Sequence, residues 1–588
     1  MKEINVRSAL VIFGQDLPKK KKSWWRQFNK IIAPKNLQEK IQSKGVDFVD
    51  IESLIGYGSI QEANRLVNEL PRLILANGRP ISKLIIWQGY ELWWMHYNDL
   101  MHKFCLPYTQ YHGLLQYLKD FNKVCLYQAP WPHLFRYFLK ANNCRCNFLN
   151  RLRLGNLLPI SCGTLIQFFL SAGFLLWLKI IRPPIMIRTS DKFNPPHDFD
   201  FRQRIFYEEL RKKNLPFVEF IRSMESWLVV LKHAWRRKRP VVYSTAIIDV
   251  VHFFARYFGR NKKKESDDLL LSSGNSPEKR FQFLIAAHYF NNLKGTIWSI
   301  RLMKFILQWI GVKSAIITAG DSRSFHEILG CKIAEIKTIG VQHSATPRHY
   351  FVSDFMPEFD GEKSISLDIY GLWSNWWKEY YLTYSRVFKA EQLFVSGPIR
   401  PLEKEIISTD SRVAKNGPLK VLFISEQLAD PKEIMPYLLA LLAVKDFAVS
   451  LKIRPQHDGF MNWLENNDSN ILEEVRVLGG DIHKAISESD VVVGSHSTAV
   501  LETLWQLKPP VFFKTERWGD YFEIKSFDVS GRFFAENPQE LINCLRKITD
   551  VPKEDLKQLQ ERFFGDPNKN GGRWVVEQAL EFAKNYGK

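Results

Sequence analysis

Cysteine is scarce in this sequence, and the catalytic motifs that are easiest to recognise are missing from it. Seven cysteines are scattered over 588 residues, with no CxxC pair and no zinc-type spacing. This pattern argues against a disulfide framework or a structural zinc site, and it favours a reducing cytoplasm. The sequence also contains no G-x-x-x-x-G-K-[ST], H-E-x-x-H or G-x-S-x-G. It therefore gives no sign of a P-loop NTPase, a zincin or a serine hydrolase.

Acidic residues are the minority among the charged side chains. Asp and Glu number 62 against 82 Lys and Arg, which leaves a net charge of +20 at pH 7. Such an excess favours an anionic partner: a membrane surface, a nucleic acid or a phosphorylated substrate. No nucleic-acid-binding motif is present, so we expect no nucleic acid partner. The clusters KKKKSWWRQF (19–28), WRRKRP (235–240) and RNKKK (260–264) suit an anionic lipid surface, and they are equally compatible with solvated loops.

One long apolar run interrupts the sequence. Residues 154–178 carry no charge and are long enough as a helix to cross a bilayer, which needs about 20 residues. Basic residues flank both ends, and Pro159, Gly163 and Gly173 weaken a lipid-exposed helix. An in-plane or re-entrant membrane anchor, a true span and a buried core helix all remain open. The amino terminus has no small-residue cleavage site, so we expect no secretory signal.

The rest of the chain alternates short apolar strands with helical patterns, which predicts an α/β fold with parallel sheets. We predict an amino-terminal α/β domain (1–150), an apolar membrane-associating segment (151–183) and a Rossmann-like domain (184–400). A linker (401–418) then leads to a second Rossmann-like domain (419–588). Ligands of such sheets bind beyond the carboxyl ends of the strands.

The stretch DVVVGSHSTAVLE (490–502) is the clearest candidate for such a site. It predicts a buried strand, a loop of small polar residues and the start of a helix, where backbone N–H groups can hold a phosphate. Ser497 and Thr498 add hydroxyl groups, and Glu502 lies one turn into the helix, where a carboxylate can accept hydrogen bonds from a ribose. A simple helix cap is the alternative explanation for Ser497 and Thr498.

Three stretches together resemble the GT-B glycosyltransferases of bacterial capsule and surface-polysaccharide synthesis. They are SDVVVGSHSTAVLETLWQLKPPVFF (489–513), SLKIRPQHDGF (450–460) and IGVQHSATPRHY (339–350). The last two are similar to the K-x-H-P and H-G-T-P stretches of Kdo, sialic acid and polyol-phosphate transferases. Two departures leave the donor open: Arg454 and Pro455 stand where relatives have His-Pro, and His343 and Ser344 stand where they have His-Gly.

The resemblance implies two Rossmann-like domains in GT-B arrangement, with transfer of a sugar from a nucleotide-activated donor to a lipid-linked or polysaccharide acceptor. It implies no cofactor and no metal. His343 or the rival Asp321 would act as the base. The alternatives are a packed or capping histidine at 343 and a plain helix cap at 321. Donor-binding residues would be Arg454, His457, Ser495, His496, Ser497, Thr498 and Glu502. Contacts to acceptor or phosphate would come from Arg323, Arg348, His349 and Glu426, although a loop carboxylate such as Glu426 is more often solvated.

Several alternatives stay open at this point. The same fold serves polyol-phosphate (CDP-glycerol-like) transferases, sugar-nucleotide epimerases and non-catalytic assembly subunits. For the transferase we expect a cytoplasmic protein, peripheral or monotopic at the inner face of the cell membrane. Asp198 and Asp200 form an Asp-x-Asp triplet, which we interpret as a solvated or helix-capping pair and not as a metal site. Trp373, Trp376 and Trp377 are interpreted as core or cleft wall.

Overall fold

The computed structural model describes residues 7–585, with gaps at 21, 44, 76–77, 150–160, 191–197, 201–202, 224, 238, 259–275, 319–323, 346, 350–351, 400–416, 427–428, 455–458 and 529. Three predicted site residues, Asp321, Arg323 and His457, lie outside the described residues, as do the RNKKK cluster and most of the predicted linker. The chain divides into two compact units. Unit 1 comprises residues 1–339, 352–368 and 579–588, and unit 2 comprises residues 340–351 and 369–578.

The first sheet lies in unit 1 and is entirely parallel. Its strands are β1 Ser8–Ile12, β2 Lys30–Ala33, β3 Asp47–Asp50, β6 Lys123–Tyr127 and β7 Arg145–Leu149, in the order β3-β2-β1-β6-β7. An antiparallel pair, β4 Ile86–Trp87 and β5 Tyr90–Glu91, stands apart. The helices are α1 Lys22–Trp25, α2 Gln38–Gln42, α3 Ile60–Glu69, α4 Tyr97–Leu100, α5 Leu106–Gln110, α6 His112–Leu118 and α7 Pro132–Ala141.

The aromatic residues of the first basic cluster belong to the core of this sheet. Trp25 and Phe28 are buried against Leu10, Ile31 and their neighbours. The sequence pattern of lysines beside tryptophans suggested an interfacial segment. That interpretation is wrong for Trp25 and Phe28, because both rings lie inside the fold.

The second sheet has seven strands, β8 to β14. They are β8 Ile185–Ser190, β9 Phe217–Arg222, β10 Val241–Val242, β11 Ser314–Ile316, β12 Lys337–Val341, β13 Ile369–Leu372 and β14 Leu393–Val395. In the parallel order β10-β9-β8-β11-β12, strand β8 lies between β9 and β11. In unit 2, β13 pairs with β14 in parallel.

The helices of this part of the chain begin with α8 Cys162–Ile181, which coincides with most of the apolar run. Ser161 caps its amino terminus by accepting a hydrogen bond from the Thr164 N–H, 3.1 Å away. Among the described residues it is the one helix long and apolar enough to cross a membrane. The others are α9 Arg204–Lys212, α10 Trp227–Arg237, α11 Ser244–Phe258, α12 Pro277–Phe290, α13 Leu293–Ile310, α14 Ser324–Ile333, α15 Val352–Phe355 and α16 Asn375–Tyr384.

The Asp-x-Asp triplet lies before α9 in unit 1, and its two carboxylates have partners within the fold. Asp200 is fully buried and accepts a hydrogen bond from the Ser190 hydroxyl at 2.6 Å. Asp198 forms ion pairs with Arg211 and Arg239. The solvated interpretation is therefore wrong for Asp200, and the two side chains serve packing between β8 and α9 and pairing with basic residues.

The third sheet, in unit 2, has six parallel strands. They are β15 Leu419–Ile424, β16 Phe447–Lys452, β17 Arg476–Leu478, β18 Val491–Gly494, β19 Pro510–Phe513 and β20 Phe534–Ala535, in the order β17-β16-β15-β18-β19-β20. Its helices are α17 Pro431–Leu442, α18 Phe460–Asn467, α19 Ile471–Glu474, α20 Ile482–Ser487, α21 Thr498–Leu501, α22 Pro538–Lys547, α23 Lys553–Phe564 and α24 Gly571–Asn585. The predicted α/β class with parallel sheets is confirmed.

Candidate functional site

The third sheet contains a topological switch point between β15 and β18. The chain passes from β15 to β16 on one side and, later, places β18 on the other side of β15. In open α/β sheets this reversal leaves a crevice beyond the carboxyl ends of the two central strands, and ligands bind there. The loops that follow β15 and β18 begin at Ser425 and Ser495. The candidate site is built from these two loops.

The carboxylate of Glu426 joins the two loops. Its Oε1 accepts hydrogen bonds from the backbone N–H groups of Ser495 at 2.6 Å, His496 at 3.0 Å and Ser497 at 3.4 Å. Glu426 is buried, contrary to the expectation of a solvated loop carboxylate. The N–H groups expected to hold a phosphate therefore hold an anion that belongs to the protein itself.

Gly494 is required where β18 meets this loop. A Cβ atom at Gly494 would lie 2.5 Å from the Val500 side chain and 3.0 Å from Glu426 Oε1. The absence of a side chain lets the carboxylate approach the strand end. The glycine at this position thus reflects a close approach of Glu426, which the pattern of the loop itself did not reveal.

His496 lies inside the fold. Its imidazole contacts the Ser495 hydroxyl at 2.8 Å and the Thr515 hydroxyl at 3.0 Å, and its Nδ1 lies 3.6 Å from Glu426 Oε2. The rings of Trp518 and Tyr521 pack edge-on against it. These contacts account for the imidazole as a buried partner of Glu426, without a ligand.

Ser497 caps α21. Its hydroxyl accepts a hydrogen bond from the Ala499 N–H at 3.3 Å, so the capping explanation holds in the structure. Thr498 opens the helix, and Glu502 follows it by one turn. The Glu502 carboxylate is partly exposed and lies 4.0 Å from His483 Nε2. That Thr498 and Glu502 bind a donor stays a prediction.

Arg454 lies at the neighbouring strand end, beyond β16. Its backbone N–H donates to the Ser425 hydroxyl at 3.2 Å, and its side chain is exposed. Ser425 directly precedes Glu426 in the loop after β15. The backbone hydrogen bond therefore places Arg454 next to the loop that carries the buried carboxylate. A planar guanidinium in such a place is suited to a phosphate.

A second group of candidate residues follows β12, in the segment of residues 340–351 that belongs to unit 2. Glu523 brings two of them together: its Oε1 lies 2.8 Å from Arg348 Nε and 2.9 Å from His349 Nε2. The Arg348 guanidinium also stacks over the Tyr384 ring at 4.0 Å. Burial opposes ionisation of Glu523, but the hydrogen bonds and charges of His349 and Arg348 outweigh it and lower its pKa.

His343 is exposed and follows a firmly held residue, Gln342. The carbonyl oxygen of Gln342 accepts a hydrogen bond from Trp373 Nε1 at 2.5 Å, and its Oε1 accepts one from the Trp373 N–H at 3.2 Å. Trp373 and Trp377 are buried and pack on Phe564 and Phe563, which confirms the core interpretation for both. The tryptophan cluster thereby anchors the loop on which His343 lies.

Two acidic residues of this part of the structure went unnoticed in the sequence. Glu523 is separated from Arg348 by 175 residues, and it has φ of +56°. Glu433 is buried and accepts a hydrogen bond from the Arg517 N–H at 3.0 Å, and burial raises its pKa. Neither Glu523 nor Glu433 lies in a sequence motif, so residue spacing could not predict their roles. No cluster of metal-ligating side chains occurs among the described residues.

Comparisons with known proteins give limited similarity. No family model matches the sequence, and no curated protein does. A glycosyltransferase from Rickettsia africae matches with 13% identity over 68% of this chain and 98% of that one, at a TM-score of 0.39. MurG from Acinetobacter baumannii matches with 13% identity over 68% and 99%, at a TM-score of 0.38. A UDP-GlcNAc 2-epimerase from Neisseria meningitidis matches with 10% identity over 68% and 99%, at 0.39. Similarity at this level does not establish a shared activity.

Proposed function

We propose that this protein is a glycosyltransferase of the GT-B type that uses a nucleotide-activated sugar. The observation that carries the proposal is the crevice at the switch point of the third sheet, where the loops after β15 and β18 meet. A Rossmann-like sheet binds nucleotides at this place. The resemblance of the same loops to GT-B donor segments supports a sugar nucleotide as the ligand.

On the donor side, the phosphates would contact the Thr498 and Ser497 hydroxyls and the Arg454 guanidinium, and Glu502 would bind the ribose. Glu426 already occupies the N–H groups of Ser495–Ser497. Its role is accordingly to position the loop, and the donor phosphates would lie beside that carboxylate. Charge repulsion from Glu426 makes a cation at Arg454 necessary for tight binding.

On the acceptor side, His343 would take the proton of the attacking hydroxyl as the new glycosidic bond forms. The nucleotide leaves with the electron pair of the broken sugar–phosphate bond. Its charge would be balanced by the Arg454 guanidinium and the Ser497 and Thr498 hydroxyls of the donor side. Asp321 is the second candidate for the base. Arg348 and His349, held by Glu523, would shape the loop that presents His343.

The acceptor is proposed to be lipid-linked or polysaccharide, with the enzyme at the cytoplasmic face of the cell membrane. Helix α8 and the net charge of +20 support a membrane-bound acceptor. The mechanism proposed here needs neither a metal nor an organic cofactor.

Nucleotide binding is the first test. The melting temperature of the full chain is measured with UDP, CMP, CDP, their sugar derivatives and CDP-glycerol, because a bound ligand stabilises the folded state by an amount that rises with the logarithm of its concentration over its Kd. Ser497→Ala with Thr498→Ala should weaken the binding of the active nucleotide by roughly tenfold or more. The control is Ser469→Ala with Thr549→Ala, two exposed hydroxyls. If no nucleotide stabilises the protein, the proposal is wrong.

Turnover is the second test. His343→Ala should bind the nucleotide as the native protein does and lose transfer to a lipid acceptor by roughly a hundredfold or more. Transfer of glycerol phosphate from CDP-glycerol would identify a polyol-phosphate transferase, and epimerisation without an acceptor would identify an epimerase. A His343→Ala variant with full turnover would remove His343 from the mechanism.

A further inference from the structure

Helix α8 of unit 1 exposes large apolar side chains where a soluble surface helix carries polar ones, and its buried side holds Leu178 together with two polar residues. The side chains that face the fold include Gln167 and Ser171, both buried, whereas Leu176 and Ile180 are 68% and 83% exposed. An ordinary surface helix buries its apolar stripe and exposes its polar one. Helix α8 therefore presents apolar side chains to its surroundings from Phe169 to Ile181, a length of about 20 Å at 1.5 Å per residue.

The buried Ser171 hydroxyl of α8 has its hydrogen-bond partners within unit 1. The Ser171 hydroxyl donates to the Gln167 carbonyl oxygen at 2.8 Å and accepts from the Tyr243 N–H at 2.8 Å. On the same side, Leu170 and Phe174 pack against a core that includes Ile221. One side of the helix is thus committed to the protein. A membrane-spanning helix surrounded by lipid is incompatible with this packing, whereas a helix lying in the plane of an interface is not.

Three further helices continue the apolar surface around α8. On α10, Trp227, Leu231 and Trp235 recur at intervals of four residues, and all three are exposed, Trp235 by 85%. On α11 and α13 the exposed rings are Phe254, Phe258, Phe305 and Trp309. A direct contact joins α8 to α13, since Lys179 Nζ lies 4.4 Å above the Trp309 ring. Within α13, Phe305 stacks on Trp309.

The charges of these four helices are almost all positive. Asp249 is their one acidic residue. Their basic residues are Lys179, Lys232, Arg236, Arg237, Arg256, Lys294, Arg301 and Lys304. Exposed tryptophan and phenylalanine beside lysine and arginine form the composition found at the headgroup level of a bilayer. The charge also complements an anionic lipid surface and opposes the approach of a second, identical basic surface.

We propose that α8, α10, α11 and α13 form a docking surface for an anionic lipid bilayer, with α8 lying in the plane of the interface. The side chains of Leu176, Ile180, Trp235 and Phe305 enter the headgroup and acyl boundary, and the lysines and arginines other than the buried Arg237 pair with lipid phosphates. The inference extends the proposed function, since a lipid-linked acceptor would be met at this surface. Vesicle binding is measured without a sugar donor and without turnover. A failure of the docking surface can therefore be told apart from a failure of the proposed glycosyltransferase activity.

The experiment is co-sedimentation of the full chain with vesicles of phosphatidylcholine containing phosphatidylglycerol, and with vesicles of phosphatidylcholine alone. The native protein should sediment with the anionic vesicles. Leu176→Glu with Ile180→Glu should lower the partition coefficient by roughly tenfold or more, because two charges replace inserted side chains. The matched control is Ile86→Glu with Leu439→Glu, two exposed apolar residues of other elements, which should bind as the native protein does.

Three outcomes would overturn the proposal. In the first, the native protein does not sediment with anionic vesicles. In the second, the α8 double variant binds as the native protein does, or the control loses binding equally. In the third, light scattering without lipid gives a dimer that the α8 double variant abolishes while vesicles capture neither protein, which assigns the surface to a second copy. Melting temperatures of both double variants establish that they are folded.

Discussion

Helix α8 in unit 1 and the loop after β18 in unit 2 depart from ordinary surface elements in opposite ways. Helix α8 exposes Leu176 and Ile180 and buries Gln167 and Ser171. The loop after β18 buries a charged side chain, Glu426, and surrounds it with backbone N–H groups. Each arrangement costs free energy in water unless a partner compensates for it.

The two elements differ in where the compensating partner lies: inside the chain for Glu426, and outside it for the apolar side of α8. Glu426 has its donors within unit 2, so the cost of burying its charge is offset inside the chain. The apolar side of α8 has none within the part of unit 1 that the structure describes, so its exposure points to a surface that the protein meets. The predictions below test this difference, from the largest expected effect to the smallest.

Removal of the Glu426 carboxylate should have the largest effect on stability. Glu426→Ala leaves three N–H groups without their acceptor in a buried place, and we expect the free energy of unfolding of unit 2 to fall by about 4 kcal/mol. Denaturant unfolding measures it, with the exposed Glu488→Ala as the control. A loss below 1 kcal/mol would show that solvent or a rearranged loop replaces the carboxylate. Tighter nucleotide binding by this variant would show that the phosphates use the same N–H groups.

Two leucines of α8 give a matched pair on one helix. Leu178 is 1% exposed and Leu176 is 68% exposed. Leu178→Ala should lower the free energy of unfolding of unit 1 by about 3 kcal/mol through the lost packing. Leu176→Ala should change it by less than about 0.5 kcal/mol in solution. Equal losses would mean that the outer side of α8 is covered by protein.

The pH dependence of stability should distinguish the two units. Burial lowers the pKa of His96 and of His288 in unit 1 to about 4. Between the usual value of 6.5 and about 4 the unfolded chain binds protons that the folded chain does not, so the free energy of unfolding falls as the pH falls. At pH 5 the loss should be about 2 kcal/mol for His96. Hydrogen exchange measured peptide by peptide should show this loss of stability in unit 1. His96→Gln should make the loss smaller, and His343→Gln, at an exposed histidine, is the control.

The Glu523 cluster should have the smallest effect. Glu523→Gln removes the charge that holds Arg348 and His349, both partly exposed, and should lower the free energy of unfolding by about 1 kcal/mol. Because the pKa of Glu523 is lowered, this contribution is present above its usual value of 4.5 and is lost as the pH falls through the folded-state value. A double-mutant cycle with Arg348→Ala measures the coupling. A coupling of zero would show that the pair does not order the His343 loop.

The strands of the α/β units were predictable because their cause is local. Runs such as DVVVG and KVLFIS (420–425) place β-branched and aromatic side chains where a parallel strand is buried on both faces. The small residues after β18 likewise predicted a turn and a helix start, and Ser497 caps that helix. Contacts between residues far apart in the sequence could not be predicted from local patterns. Glu426 meets a loop some 70 positions away, and Glu523 meets Arg348 across 175.

By itself, the sequence determined the alternation of strands and helices, the parallel sheets, the positive charge and the presence of one long apolar helix. These follow from side-chain size, polarity and spacing along the chain. Tertiary structure decided which side of α8 faces the protein and which acid enters the loop after β18. It also drew Trp25 and Phe28 into a core and gave Asp198 and Asp200 their partners. Those outcomes depend on which distant groups the sheet order brings together, and that order is set by packing of the whole fold.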